Sequence, residues 1–220
     1  MSDALLWQKF GERFDLTPLQ LQQFARYATL LQDWNEKISL TTITGLHRII
    51  DQHFGDALSL HELIDLQQLR GLVDVGAGAG FPGIPLKLKY PHLQVTLIEV
   101  NLKKIGFLQA VIDQLQLTGI TVFTNDWRTY LRTTNDDVQL FCTRAALPLP
   151  ELLRLFKPGC IYHHAKLVYW ASQHWSQTEL ATVKTLPVGL TVQQFPYCAG
   201  NKKRQFVLFE KRECQCKKES

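Results

Sequence analysis

The chain has 220 residues, enough for one domain with a real hydrophobic core. Its 45% hydrophobic and 20% charged residues fit a globular protein and exclude extensive disorder, and no apolar run approaches the length of a bilayer span. The net charge of +4 is too small to demonstrate a nucleic-acid partner by itself.

The opening residues, MSDALLWQKFGERFD, mix acids and bases and lack the apolar segment of a secretion signal, so a cytoplasmic protein is expected, with no membrane partner. Thr17-Pro18 is a helix start, a capping hydroxyl followed by proline in the first turn. Leu21, Phe24, Ala28 and Leu31 then recur at helical spacing, with Leu30 and Trp34 widening the stripe. Asn35-Glu36-Lys37 ends that helix, "ISLTTIT" reads as a loop, and Leu46 to Ile64 resumes a helical pattern. Residues 1–68 are therefore expected to form a helical segment packed on the core of the protein.

From Gly71 onward the pattern alternates. Strands are predicted at Leu72–Val75, Gln94–Ile98, Ile120–Phe123, Val138–Thr143, Ile161–Trp170, Leu190–Phe195 and Gln205–Glu210, with a helix over Lys103–Leu117. Short apolar strands separated by helical patterns predict an α/β fold, a mostly parallel sheet covered on both faces. The last two strands leave no room for a helix between them, which predicts an antiparallel pair at a sheet edge. The core is expected over residues 69–212, with 213–220 a frayed tail. The five cysteines, Cys142, Cys160, Cys198, Cys214 and Cys216, have irregular spacing and read as free thiols in a reducing compartment. His163 and His164, placed in a strand, would point to opposite faces, and no metal site is expected.

"LVDVGAGAGFPGIPL" requires something to approach the backbone closely. Gly78, Gly80 and Gly83 satisfy a dinucleotide pattern, but Asp74 lies where that fold places an apolar residue, and Pro82 removes a donor near the helix start. The lysine of a triphosphate loop is absent. An acid followed by Gly76, Gly78 and Gly80 suits S-adenosyl-L-methionine, with Asp74 attracting its ammonium directly or through water. Glu99, ending the second strand, fits a carboxylate accepting ribose hydroxyls. Arg144 follows the fourth strand, the usual place for a site in an open α/β sheet. His53 and Asp56 are one helical turn apart, are predicted to face one cleft, and lack a third partner for a metal. Basic clusters at Lys87/Lys89, Lys103/Lys104, Lys202/Lys203/Arg204 and Lys211/Arg212/Lys217/Lys218 suit phosphates if several share a rim.

"DVGAGAGFPGIPL", "IEVNLKKIGFL" and the "TRA" after the fourth strand resemble the glucose-inhibited-division B family, as do "WNEKISLTTIT" and "HFGDALSL". The similarity spans Leu21 to Leu155 and weakens beyond Phe156, where "YWAS" stands in place of a lysine-glycine pair; "SLTTIT" replaces an asparagine-containing version. The resemblance implies a Rossmann-like seven-stranded class I methyltransferase sheet and methylation of a guanine N7 in 16S ribosomal RNA. The partner would be that RNA or the small ribosomal subunit, and the chain a monomer. It further assigns Arg144 to cofactor contact, as the working side chain; the other expected cofactor contacts are Asp74, Gly76, Gly78, Gly80, Phe81 and Glu99, and Asp126, Trp127 and Arg128, which follow the third strand where the adenine normally lies. Substrate contacts are expected from His53 and Asp56 by family position, and from Lys103 and Lys104 by their charge. Guanine N7 carries no proton, so positioning rather than a general base would drive transfer. Three other readings stay open: an RNA-binding relative without turnover, a nicotinamide-dependent oxidoreductase suggested by "GAGFPG", and a methyltransferase for a protein or small molecule.

Overall fold

The computed structural model describes residues 2–144, 147–173, 175 and 186–212. The expected tail 213–220, with Cys214, Cys216, Lys217 and Lys218, lies outside the described residues.

Helix α1 (Asp3–Phe14) is capped by Ser2, and α2 (Pro18–Asn35) by a reciprocal capping box between Thr17 and Gln20. Phe24, Tyr27, Ala28 and Leu31 of α2 are buried, as the helical spacing predicts. The segment expected as one helix from Leu46 to Ile64 is instead subdivided. A helical turn α3 (Leu46–Ile49) runs into a π-helical stretch, Ile50–Gly55, then α4 (Asp56–Leu58) and a 3-10 turn, Ser59–Glu62. The wider π turn changes which side chains share a face, a feature common at functional sites.

The sheet comprises β1 (Gly71–Val75), β2 (Gln94–Ile98), β3 (Ile120–Phe123), β4 (Leu140–Thr143), β5 (Lys166–Ser172), β6 (Leu190–Ala199) and β7 (Lys202–Lys211). Its order is β3-β2-β1-β4-β5-β7-β6, with β1 to β5 parallel and β7 antiparallel to both neighbours. Helices α5 (Gly83–Lys89), α6 (Leu102–Gln114), α7 (Trp127–Thr133) and α8 (Leu149–Leu152) complete the alternation. This is the expected seven-stranded Rossmann-like sheet with its antiparallel edge.

Several strand boundaries differ from expectation: β1 gains Gly71, β5 extends to Ser172, β6 extends to Ala199, and β7 spans Lys202–Lys211. β4 begins at Leu140 rather than Val138, and β5 begins at Lys166 rather than Ile161. Gly159, at φ 82, starts a series of tight turns in which His163 N donates to Cys160 O and Ala165 N to Tyr162 O. His163 and His164 are therefore not on opposite faces of a strand; their ring centroids lie 3.6 Å apart.

Apolar residues cover both sheet faces, with successive β1 residues facing opposite ways: Leu72 joins one cluster, Val73 the other. The N-terminal helices belong to the first cluster, where Phe24, Tyr27 and Phe54 share a core with Phe81, Phe107 and Trp170. Among the described residues no helix is long and apolar enough to cross a membrane.

Candidate active site

The chain order reverses direction on either side of β1, which lies between β2 and β4, and such a switch point opens a crevice at the carboxyl ends of the strands. Val75 pairs with both Ile98 and Thr143, so the next residues, Gly76, Glu99 and Arg144, emerge at one level. A cavity of about 500 Å³ opens there, within the range of small-molecule sites.

Its first wall is backbone. Gly76, Gly78 and Gly80 have φ of 72°, 59° and 87°, in the left-handed region that favours glycine. A Cβ on Gly78 would meet nothing nearer than Gly76 O at 3.8 Å, so this backbone faces open cavity. Gly80 serves packing instead: its Cβ would lie 2.5 Å from Ile84 Cδ1 and 2.7 Å from Tyr27 Oη. Glu99 Oε2 accepts from Gly78 N at 2.9 Å, and Oε1 accepts from Val100 N and Asn101 N, each at 2.9 Å. These three bonds orient the carboxylate at the cavity wall and leave it acceptor capacity for a ligand hydroxyl.

Asp74 corrects an expectation. It is fully buried and does not line the cavity; its Oδ2 accepts from Gly83 N at 2.8 Å, fixing the start of α5. Its Oδ1 has no partner, and burial pushes the carboxyl up to about 7. Direct contact with a ligand ammonium is not open to it.

Past β3, Asp126 caps α7 by accepting from Thr129 N at 2.8 Å, a bond that holds its carboxyl below the usual range. Asp126 and Trp127 line the cavity, with Trp127 fixed by its Nε1 donating to Glu151 O. Arg128 departs from expectation: its fork engages Glu151 through Nε and a terminal nitrogen, each at 2.8 Å, and it does not line the cavity. Asn101 caps α6, and of the two lysines that follow, Lys104 lines the cavity whereas Lys103 does not.

The opposite wall is made of side chains. Phe81 stacks on His53 at 4.3 Å and 8°, and the Arg144 guanidinium sits 5.1 Å over the Phe81 ring. Arg144 reaches Asp56 Oδ2 at 3.4 Å and His53 Nδ1 at 3.1 Å. His53 Nε2 meets Thr41 Oγ1 at 2.9 Å. Burial first, then Arg144, Arg204, Arg48 and Lys202, push His53 down to about 3, so the ring is neutral at pH 7.

Asp56 also differs from expectation. It is fully buried, lies outside the cavity lining, and serves as an internal counter-ion. Tyr197 Oη donates to its Oδ1 at 2.6 Å, Arg204 Nε lies 3.3 Å from the same oxygen, and Trp170 Nε1 donates to its backbone carbonyl. Arg204 thus turns inward, away from the phosphate-tracking role expected of its cluster, while Lys202 and Lys203 are exposed. Lys87 is likewise buried, donating to Pro91 O and Leu93 O.

Thr41, Tyr27 and Tyr197 are contributors that sequence reasoning did not single out, and Arg204 was read only as part of a basic cluster. A partial signal was present in "WNEKISLTTIT". Asn35 Oδ1 accepts from Leu40 N and Thr41 N, and its Nδ2 donates to Thr41 O, so that motif shapes the loop carrying Thr41. Tyr27 stacks on Phe81 and donates to Ala79 O, holding the glycine loop from behind.

A family model described as rRNA small subunit methyltransferase G matches residues 20–207. A ribosomal RNA small subunit methyltransferase G from Halalkalibacterium halodurans is 38% identical over 154 residues, covering 69% of this chain and 65% of that protein. Its namesake from Bacillus subtilis is 43% identical over 111 residues, covering 50% and 46%. The chain thus matches from about half to just under two thirds of the length of these relatives. Among solved structures, a mutant of MtNAS in complex with S-adenosylmethionine superposes with a TM-score of 0.57 at 14% identity, covering 94% of this chain and 84% of that one, a likeness of fold. With most of its length matched by the family model, the chain belongs to the rRNA small subunit methyltransferase G family, also called glucose-inhibited-division B.

Proposed function

We propose that this chain transfers a methyl group from S-adenosyl-L-methionine to N7 of a guanine in 16S ribosomal RNA, acting as a cytoplasmic monomer on that RNA or on the small subunit. One observation carries the reading: a side-chain-free cradle at Gly78, oriented by Glu99, faces a wall whose only imidazole is neutral and already bonded at both nitrogens. Such a site can position two reactants, and among the described residues its imidazole is not free to remove a proton. Guanine N7 asks for no proton removal.

The residues present fit the cofactor. Gly76 and Gly78 would admit its close approach, Glu99 would accept from ribose hydroxyls, and Asp126 and Trp127 would flank the base. When bound, S-adenosyl-L-methionine supplies a methyl group on a sulfonium centre. Arg144, held by Asp56 over Phe81, would orient the acceptor; Lys104 would meet RNA phosphate.

The test is methyl transfer from labelled cofactor to RNA isolated from a strain lacking the gene, followed by mapping. One methylated guanine N7 in 16S RNA supports the reading. Labelling of protein or of another base atom, or stabilisation by NADH and not by S-adenosylhomocysteine in a thermal shift, overturns it.

A further inference from the structure

Hydrogen-bond polarity can be followed through the side-chain wall from its buried charge outward. Arg144 has only donors, so the His53 Nδ1 it reaches at 3.1 Å must be an unprotonated acceptor. The single proton of the neutral ring therefore sits on Nε2, and Nε2 donates to Thr41 Oγ1 at 2.9 Å. Ile43 N donates to the same oxygen at 3.1 Å. Both lone pairs of the hydroxyl are then filled, and its own hydrogen has no acceptor among the described residues. Thr41 lines the cavity, and Asn35 pins its backbone on both the N–H and the carbonyl side. The Asp56–Arg144–His53 series thus fixes Thr41 as a hydroxyl that can only donate into the cavity.

We propose, on the methyl-transfer reading above, that the Thr41 hydroxyl donates to O6 of the acceptor guanine and is the residue that selects guanine over adenine. O6 and N7 are neighbours on the same edge of guanine, so a donor at O6 fixes the base while leaving the N7 lone pair free. Adenine presents an N6 amino group at that place. Two donors would then face each other, and a hydroxyl with both lone pairs filled cannot reverse its role. Asp56 and His53 each take a donor of Arg144, which lies over Phe81, whereas the Thr41 hydroxyl offers the cavity its single donor and nothing else.

The experiment pairs an enzyme change with a substrate change. 16S RNA is assembled by ligation with either guanine or 2-aminopurine at the mapped acceptor; 2-aminopurine retains N7 and lacks O6. Single-turnover methyl transfer is measured for the wild type, Thr41→Val and Thr41→Ser. The wild type should lose about tenfold to thirtyfold on 2-aminopurine, the size of one hydrogen bond. Thr41→Val should lose as much on guanine and almost nothing more on 2-aminopurine, whereas Thr41→Ser should keep the guanine preference. S-adenosylhomocysteine affinity should be unchanged in both variants, showing that the cofactor side is intact. Losses that multiply independently, or a wild type indifferent to O6, overturn the inference; the wild-type arm decides it even if Thr41→Val does not fold. Absence of N7 transfer to guanine by the wild type would instead overturn the methyl-transfer reading itself.

Discussion

The two walls of the cavity are built on opposite principles. The glycine-loop wall comes from two short stretches, Gly76–Ala79 and Glu99–Lys104, and works through backbone torsions and backbone N–H groups. The facing wall, Thr41, His53, Phe81 and Arg144, is backed by buried Asp56 with Tyr197 and Arg204; Arg144 reaches partners 88 and 91 positions away, and Tyr197 one 141 positions away. A backbone wall offers the same groups whatever the side chains, which suits an invariant ligand. A side-chain wall can be tuned to one acceptor, at the cost of depending on every member of its charge network.

The largest expected effect falls on the network wall. Arg144→Ala leaves buried Asp56 with Arg204 and Tyr197 alone and removes the donor to His53, so methyl transfer should fall about a hundredfold or more. Arg144→Lys should recover little, because one ammonium cannot span Asp56 and His53 while lying over Phe81. Arg128→Ala, which breaks only a partly exposed pair with Glu151, should change the rate by less than about twofold. Single-turnover rates of the three variants test this ranking, and equal losses would remove the distinction between Arg144 and Arg128.

On the backbone wall, two glycines of one loop should fail differently. Gly78→Val places a side chain in the open cradle, so S-adenosylhomocysteine affinity should drop at least about tenfold, with a smaller loss of stability from the positive φ. Gly80→Ala drives a methyl into Ile84 and Tyr27 and should chiefly lower Tm. Calorimetry and thermal melts on both variants separate ligand space from packing. Unchanged affinity in Gly78→Val would end the cradle assignment.

The contrast also explains what was legible in the sequence. The seven strands, their antiparallel edge and the glycine loop are encoded by local patterns, apolar runs of strand length and residues that permit positive φ. Glu99 was legible because it stands a fixed distance past such a pattern. Asp56 was misplaced because a regular helix puts it on the face of His53, and the π turn over Ile50–Gly55 breaks that periodicity. Asp74 read as a ligand group because type and spacing do not reveal that Gly83 N captures its carboxylate. Arg128 and Arg204 were drawn away by Glu151 and Asp56, partners remote in sequence. Thr41 was marked only by the motif that shapes its loop, since its role follows from tautomer and bond direction, which exist only once Arg144 and His53 have met.

The two walls should also oppose each other in the pH dependence of stability. His53, lowered from 6.5 to about 3, stabilises the fold fully above its unfolded value, and that contribution is lost as pH falls toward 3. Asp74, raised from 3.8 to about 7, does the reverse: its contribution is present below 3.8 and lost as pH rises through 7. Between about pH 4 and 6.5 the two slopes, each up to about 1.4 kcal/mol per pH unit, have opposite signs and offset. Asp74→Asn should therefore unmask stability that climbs with pH across this window, and His53→Gln stability that declines. Denaturant melts at several pH values check both, and parallel profiles for the two variants would refute the opposition. The methyl-transfer rate should show no ascending limb near pH 6.5, since His53 is already neutral there.

The smallest expected effect lies at the rim, outside both walls. Lys202 and Lys203 are exposed beside Arg204, whose own charge is committed to Asp56. If the two lysines meet RNA phosphates, neutralising each should lower the slope of log affinity against log salt by about 0.7 to 0.9 unit, with only a modest loss of binding at high salt. Their chemistry-free position predicts an unchanged single-turnover rate at saturating RNA. Arg204→Ala should behave oppositely. Removing it withdraws one of the cations that hold Asp56, so the rate should fall while the salt slope stays close to that of the unaltered protein. Filter binding over a salt series, run beside single-turnover assays, separates the two outcomes. A slope that falls for Arg204→Ala and not for the lysines would show that Arg204 faces RNA when bound, and that the network wall opens to admit it.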